Sequence, residues 1–560
     1  MHNPAVRESD RSIGIDLGTT YSCAAIVEGG RPQVIRSRLG YSTIPSVVTF
    51  DDQGQPVVGQ DAERRTILQP EETIYGSKRL IGRTYLPGVV ERFQPHFQYK
   101  LGPDQDGFVA ACVGGRTVPL VEVSSYILRE LRIASQRSLG EKVHRAVVTV
   151  PAYFNENQRG FVREAGRRAG LEIIRIINEP TAAALCFGFN RAEHKRLLVF
   201  DLGGGTFDVS IVDLDGNTFT VVATHGDTFL GGLDFDRRIA EFLQQRAEER
   251  LDREIILSPS DRQRLRLAAQ DAKHQLSELP RAAVQIPMMK LADGTKIDLT
   301  DTIDRHDLDE ITGDLVDRTV AVVNETLAMA SLQAKEIDEV LLVGGQTRMP
   351  AVQKRLREMF GREPTKRIHP DEVVALGAAI AADAHDRDDT ATLRDVLPLS
   401  IGIGGADGSF IPVIPRNTPV PHEGVATLEI PAGSQVMKIG VFQGEKKTAK
   451  ANEFLGALGL EGLAVAEQPV SCELVFSLDA ECLLRVRASV EATGFEREVT
   501  LGTQQTPDQV LEQLGKVRIS VPTAAPPDVA TAAAGPRGPA PQIEKKGFWQ
   551  RLKGWLFEDG

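Results

Sequence analysis

Two short stretches of this chain repeat each other. Residues 13–22 read IGIDLGTTYS and residues 198–210 read LVFDLGGGTFDVS. Each runs from an apolar segment into Asp-Leu-Gly, then small residues, a threonine and a second apolar segment. Their aspartates, Asp16 and Asp201, stand 185 residues apart. The pattern predicts a strand, a tight turn and a second strand, made twice, in a duplicated domain whose halves face each other. Glycines let backbone N–H groups approach phosphate oxygens closely, threonines add donors, and aspartates hold Mg2+ mostly through waters. Two further glycine pairs lie in LGGLDFD (230–236) and VGGQTRMP (343–350). One such pair alone would be read as a tight hairpin. Four within one α/β zone read as phosphate loops. The P-loop pattern G-x-x-x-x-G-K-[ST] is absent from the sequence.

Around these loops the chain divides by composition. At roughly 100–200 residues per domain, its 560 residues predict about three to five domain-sized units. Over 11–384, β-branched runs such as AVVTV (146–150), LLVF (197–200) and EVLLVGG (339–345) alternate with helical patterns such as 123–139. That alternation predicts an α/β domain. A charged, small-residue stretch at 385–395 reads as a linker. Over 396–502, period-two runs such as CLLRVRASV (482–490) predict an all-β sandwich of about seven strands. Segment 503–520 offers one short helix, with Thr506 as N-cap, Pro507 at its first position and Gln509 closing a capping box. An Ala/Pro-rich tether at 521–544 follows.

The last segment, 545–560, holds the only two tryptophans, Trp549 and Trp555. Phe548, Leu552, Trp555 and Leu556 fall on one helical face beside Lys545, Lys546, Arg551 and Lys553. A membrane interface, a partner's groove and the chain's own β-domain are all open as its resting place.

Composition excludes several classes. A net charge of −12 disfavours nucleic-acid binding, which needs surplus Lys and Arg. The five cysteines are scattered and form no CxxC pair, which argues against disulfides or a zinc site and for a reducing cytoplasm.

The motif set IGIDLGTTYS, SKRLIGR (77–83), AVVTVPAYFNENQR (146–159), IINEPTAAAL (176–185), FDLGGGTFDVS, GGLDFD and VGGQTRMP resembles the seventy-kilodalton heat-shock chaperone family, the bacterial DnaK-like proteins included. DVLPLSIGI (395–403) and VFQGEKKTAKANEFLG (441–456) resemble its peptide-binding β-domain. The resemblance implies an actin-like (duplicated ribonuclease-H-like) ATPase domain, a linker and a β-sandwich that grips extended peptides. It implies ATP and ADP as nucleotides, with Mg2+ and K+.

Residue by residue, the resemblance places Asp16, Asp201 and Asp208 around the metal ions. Thr19, Thr20 and Tyr21 fall on the first phosphate loop, and Gly203, Gly204, Gly205 and Thr206 on the second. Lys78 would orient the attacking water and stabilise charge, with Glu179 beside it. Gly231, Gly232, Gln270, Lys273, Ser277, Gly344, Gly345, Arg348 and Asp371 would hold the nucleotide. Pro151 and Arg159 match the switch that reports nucleotide state. Ile403, Met437 and Ile439 match the peptide pocket, although their period-two spacing also suits a plain sandwich core.

The chain departs from the family at Gln270, where Glu is usual, and at His274. Its linker keeps only Leu393 as a large apolar residue, and no full helical lid follows the sandwich. Two functional readings follow. One is an ATP-dependent chaperone for unfolded polypeptides, served by a J-domain partner and a nucleotide-exchange factor. The other is a nucleotide-gated scaffold with weak ATPase activity and a dedicated partner.

Overall fold

The computed structural model describes residues 11–188, 194–291, 293–365, 369–387, 392–433, 436–461, 468–490 and 494–499, with the short pieces 7–8, 501–502 and 518–520. The first of the two echoing stretches forms the inner strands of one sheet. Its order runs Glu172–Asn178, Arg145–Val150, Ile13–Asp16, Tyr21–Glu28, with the first three parallel and the last returning antiparallel. The second stretch builds the second sheet, in the order Glu339–Val343, Lys195–Leu202, Phe207–Asp215, Thr218–Asp227. Again the outer strand is parallel to the central one and the rest is an antiparallel meander. The repeat holds at the level of register. Asp16 pairs with Cys23 and Asp201 pairs with Asp208, each partner seven residues on.

Two helices join these sheets. Val373–Asp386 is apolar nearly all round and buried from 373 to 382, the pattern of a helix covered on every side. It lies on the first sheet. Glu179–Gly188, with all ten residues buried, lies on the second sheet and packs against it. Small residues allow this closeness. A methyl on Gly377 would stand 1.9 Å from the Ala182 carbonyl oxygen, and one on Gly14 would stand 2.0 Å from the Ala379 nitrogen. Because the halves share these helices, no domain boundary falls between them. The chain clusters into two compact units rather than three to five, with the first ending at Leu393 and the second running on from Arg394.

The linker region differs from a free connector. The helix continues to Asp386, and Thr392–Arg394 forms a strand at the edge of the second sheet. The Thr392 N–H donates to the Asn217 carbonyl at 3.0 Å. Thr392 is exposed and Leu393 half-buried, so backbone bonds hold this segment where apolar side chains are scarce.

The second unit is all-β. One sheet runs Phe410–Ile414, Ile401–Gly404, Val436–Gln443, Glu453–Glu461, Leu501–Gly502; the other runs Phe495–Val499, Leu484–Val490, Val470–Leu478, His422–Ile430, Arg518–Ser520. Both contribute to one core, in which Ile403, Ile439 and Leu458 from one sheet join Leu428, Leu474 and Val486 from the other. Arg518–Ser520 corrects the helix expected over 503–520 at its C-terminal end. These residues pair antiparallel with Thr427–Glu429, as the alternation in KVRISV favours. The helix start at Thr506, the tether and segment 545–560 lie outside the described residues.

Gly377→Ala should destabilise the first unit by about 1–3 kcal/mol, since the methyl has only backbone to displace. Gly313→Ala, in helix Arg305–Met329 with open space around the added methyl, should instead stabilise it by about 0.5–1 kcal/mol. Urea unfolding of the two variants checks both signs.

Candidate functional site

The site forms where the glycine loops of the two halves meet. The Gly203 N–H bonds to the Thr206 carbonyl at 3.2 Å and closes the second loop. A methyl on Gly204 would stand 1.9 Å from Thr20 Oγ1, and one on Gly205 would stand 2.4 Å from Thr19 Cγ2. Gly231 approaches from the other side, where a methyl would stand 2.6 Å from the Gly205 nitrogen. The Gly232 and Leu233 N–H groups bond to the Gly203 and Gly204 carbonyls, each at 2.9 Å. On Gly344, at φ 80°, a methyl would stand 2.4 Å from the Leu202 carbonyl oxygen. Three segments distant in sequence thus touch backbone to backbone, and the first loop closes on them through the Thr19 and Thr20 side chains.

Beside them lie two cavities that share Thr20, Tyr21, Gly203, Gly204, Gly345 and Asp371 as common walls. The smaller, of about 90 Å³, is lined by Asp16, Thr19, Lys78, Glu179, Asp201, Thr206 and Gly344 among others. Lys78 Nζ bonds to Glu179 at 2.5 Å, and both side chains are buried. Lys78 comes from the short turn Ser77–Arg79, set up by Gly76 in the left-handed region. Asp208 is buried just behind the cavity wall, where it accepts a hydrogen bond from the Tyr153 N–H at 3.3 Å.

Three buried carboxylates (Glu179, Asp201 and Asp208), the half-buried Asp16 and one ammonium leave this end rich in negative charge. Burial, then the Glu179 charge, pushes Asp16 up to about 7, with Lys78 pulling the other way. The same two causes push Asp208 up to about 8. Asp201 is raised well above the carboxylate range by burial and by Glu179, Asp208 and Asp16. Groups so perturbed call for a cation. Among the described residues no three acidic, His or Cys side chains converge closely enough to ligate one ion directly. Thr20 Oγ1 is buried without a hydrogen-bond partner, a donor left for an incoming anion.

The larger cavity, of about 270 Å³, is lined by Gly232, Gln270, Lys273, Ser277, Gly345 and Arg348, with Asp236, His274 and Glu278. Lys273 Nζ is held by Asp236 at 2.8 Å and by the Gly232 carbonyl at 3.1 Å. On the rim, Arg348 donates to Asp371 at 2.6 Å. Burial, then the Lys273 charge, lowers the His274 imidazole below its usual range.

The expected switch pair is buried nearby. Arg159 donates to Asn178 at 2.6 Å, next to Glu179, and to the Ala152 and Phe154 carbonyls at 3.4 Å in the loop that Pro151 opens. Gly205 and Gly231 shape the loops but do not line either cavity. In the second unit Ile403 and Ile439 are wholly buried and Met437 nearly so, all three within the sandwich core. Sequence reasoning gave no role to Asp236, Glu278 or Arg79. Asp236 and Arg79 sit inside motifs already singled out; Glu278 ends a helix with no pattern to mark it.

A family model described as Hsp70 protein matches residues 12–518.

Gly204→Ala should lower ADP affinity by about ten-fold or more, some 1.4 kcal/mol, because the methyl collides with Thr20. Gly313→Ala should leave that affinity unaltered. Titration calorimetry with ADP reads both.

Proposed function

This chain belongs to the Hsp70 family, and on that premise we propose an ATP-dependent chaperone whose first unit hydrolyses ATP to ADP and phosphate and whose second unit binds extended apolar segments of unfolded polypeptides. One observation carries the nucleotide assignment. An acid-rich cavity holding Lys78 shares its walls with a wider one lined by Lys273, Ser277 and Arg348. The first suits phosphates with a metal ion, and the second a nucleoside.

Phosphoryl transfer needs positioning and charge stabilisation more than a strong base. Lys78 has three N–H donors. Glu179 takes one, and in this reading the others serve the attacking water and a γ-phosphate oxygen. The water oxygen bonds to the γ-phosphorus, the bond to the bridging oxygen breaks, and ADP leaves with phosphate. Asp16, Asp201 and Asp208 would hold Mg2+ through waters, with K+ alongside, and the ions supply neutralising charge to the phosphates. Thr19, Thr20 and Thr206, with the Gly203–Gly205 loop that positions them, cradle the phosphate chain, with Tyr21 at its edge. Gln270, Lys273 and Ser277 face the nucleoside from one side, and Gly345, Arg348 and Asp371 from the other, with Gly344 behind them in the wall of the smaller cavity. Gln270 still accepts a ribose hydroxyl but brings no charge, which weakens that contact.

Arg159 links Asn178 to the Pro151 loop, and the same loop reaches Asp208 through the Tyr153 N–H. A change at the acid cluster therefore has a bonded route to that loop, which supports its role as the nucleotide-state switch. We assign the J-domain partner, the exchange factor and a cytoplasmic setting on the family resemblance. The five free cysteines fit a reducing compartment. No helix among the described residues is long and apolar enough to cross a membrane.

The burial of Ile403, Met437 and Ile439 in the core favours a second reading, a nucleotide-gated scaffold whose dedicated partner binds the β-domain or segment 545–560. The two separate in one experiment. In single-turnover assays, Lys78→Ala should slow hydrolysis by about 10²–10³-fold while ADP binding persists. An unfolded apolar peptide should accelerate the wild type. Turnover that ignores every such peptide, with ADP bound, selects the scaffold.

A further inference from the structure

Lys78 and Arg79 are neighbours on one turn, yet their side chains part. Lys78 joins Glu179 at the acid-rich cavity. Arg79 crosses to the other half of the unit. Its Nε donates to the Gly205 carbonyl at 2.5 Å, and its terminal nitrogens reach both Asp234 oxygens, at 2.5 and 3.5 Å. The Arg79 side chain is 1% exposed and that of Asp234 is 7% exposed. Asp234 Oδ2 also accepts the Gly231 N–H at 2.9 Å, capping helix Gly232–Leu251. His96 Nδ1 stands 3.7 Å from Asp234 Oδ1. Burial holds that imidazole below its usual range, so the counter-charge of Asp234 comes from Arg79.

A buried ion pair is a poor stabiliser by itself, because desolvation offsets most of the attraction. This one spans three elements: the Lys78 turn, the second phosphate loop and the third glycine pair. We propose that Arg79 is a positioning residue for ATP hydrolysis, locking the Gly203–Gly205 loop and the Gly231–Asp234 cap onto the turn that carries Lys78. The inference rests on the ATPase reading above.

The physical argument is one of peptide geometry. A trans peptide is planar, with its C=O and N–H on opposite edges. Holding the Gly205 carbonyl on Arg79 therefore also fixes the direction of the Thr206 N–H, and Thr206 lines the acid-rich cavity. With glycine at 203, 204 and 205, the loop restrains that peptide locally only through the Gly203 N–H bond to the Thr206 carbonyl. Arginine suits the task because its planar fork meets a carbonyl and a carboxylate at once, while lysine offers a single point charge.

Two variants test this. Arg79→Lys keeps the charge and loses the fork. Arg79→Met combined with Asp234→Asn removes the stranded charge and keeps an acceptor for Gly231. ADP affinity by calorimetry, the urea midpoint and single-turnover hydrolysis of bound ATP are measured beside the wild type. The expected result is folded protein that binds ADP within about five-fold of wild type but hydrolyses bound ATP about 10- to 100-fold more slowly, with lysine giving no rescue. Hydrolysis of bound ATP within two-fold of wild type in either folded variant overturns the inference. So does a rate loss no larger than the affinity loss, or failure of both variants to fold, either of which makes Arg79 part of the scaffold only. A wild type that binds ADP and never hydrolyses ATP would instead refute the ATPase reading, and this inference with it.

Discussion

Glycine is the residue that fits where the phosphate loops of the two halves meet, and the site depends on that fit. Thr20 occupies the space a Gly204 side chain would need, and Thr19 does the same at Gly205. The cradle is therefore a seam between segments separated by up to about 300 residues of sequence, and neither half contains it alone. Gly14 and Gly377 serve the same end in the layer beneath, where they let the two shared helices close on the sheet and on each other. Small residues in the interior and glycines at the site are one device used twice.

Charge then acts on this frame. Asp16, Asp201, Asp208 and Glu179 gather around one lysine because both strand–turn–strand repeats end their first strands at the seam. The duplication is also unequal. Asp208 stands opposite Asp201, while Cys23 stands opposite Asp16. The second repeat therefore carries two of the carboxylates itself, while the first carries one and is supplemented by Glu179 and by Lys78 from elsewhere in the chain. Unpaired negative charge in a buried space favours cations and whatever anion can arrive with them, which is the basis for reading the site as one for a metal-bound polyphosphate.

The second unit shows a limit of pattern matching. Ile403, Met437 and Ile439 agree with the family's peptide-lining positions, and they agree equally with the inward face of a sandwich strand; the structure buries them in the core. Period-two alternation says only which face is covered, not whether protein or ligand covers it. At Thr392–Arg394 the reverse holds. Little apolar side chain is available there, yet the segment adds to a sheet edge through its backbone, a kind of attachment that side-chain hydrophobicity does not register.

The sequence by itself determined the strands and the identity of the glycine loops, because each rests on local rules: apolar runs at strand spacing, and glycine where backbone must approach backbone. It also marked Lys78, Glu179, Asp16 and Asp201 through motifs that resemble those of the family. Tertiary structure alone decided that two halves form one unit, because the sharing of Glu179–Gly188 and Val373–Asp386 between sheets is a matter of packing between residues some 190 positions apart. It alone brought Asp236 to Lys273, and Arg79 to Gly205 and Asp234. An arginine beside a lysine looks like any charged surface pair in the sequence. Its burial follows from where the chain places the other half of the unit, and that is long-range geometry no local pattern encodes.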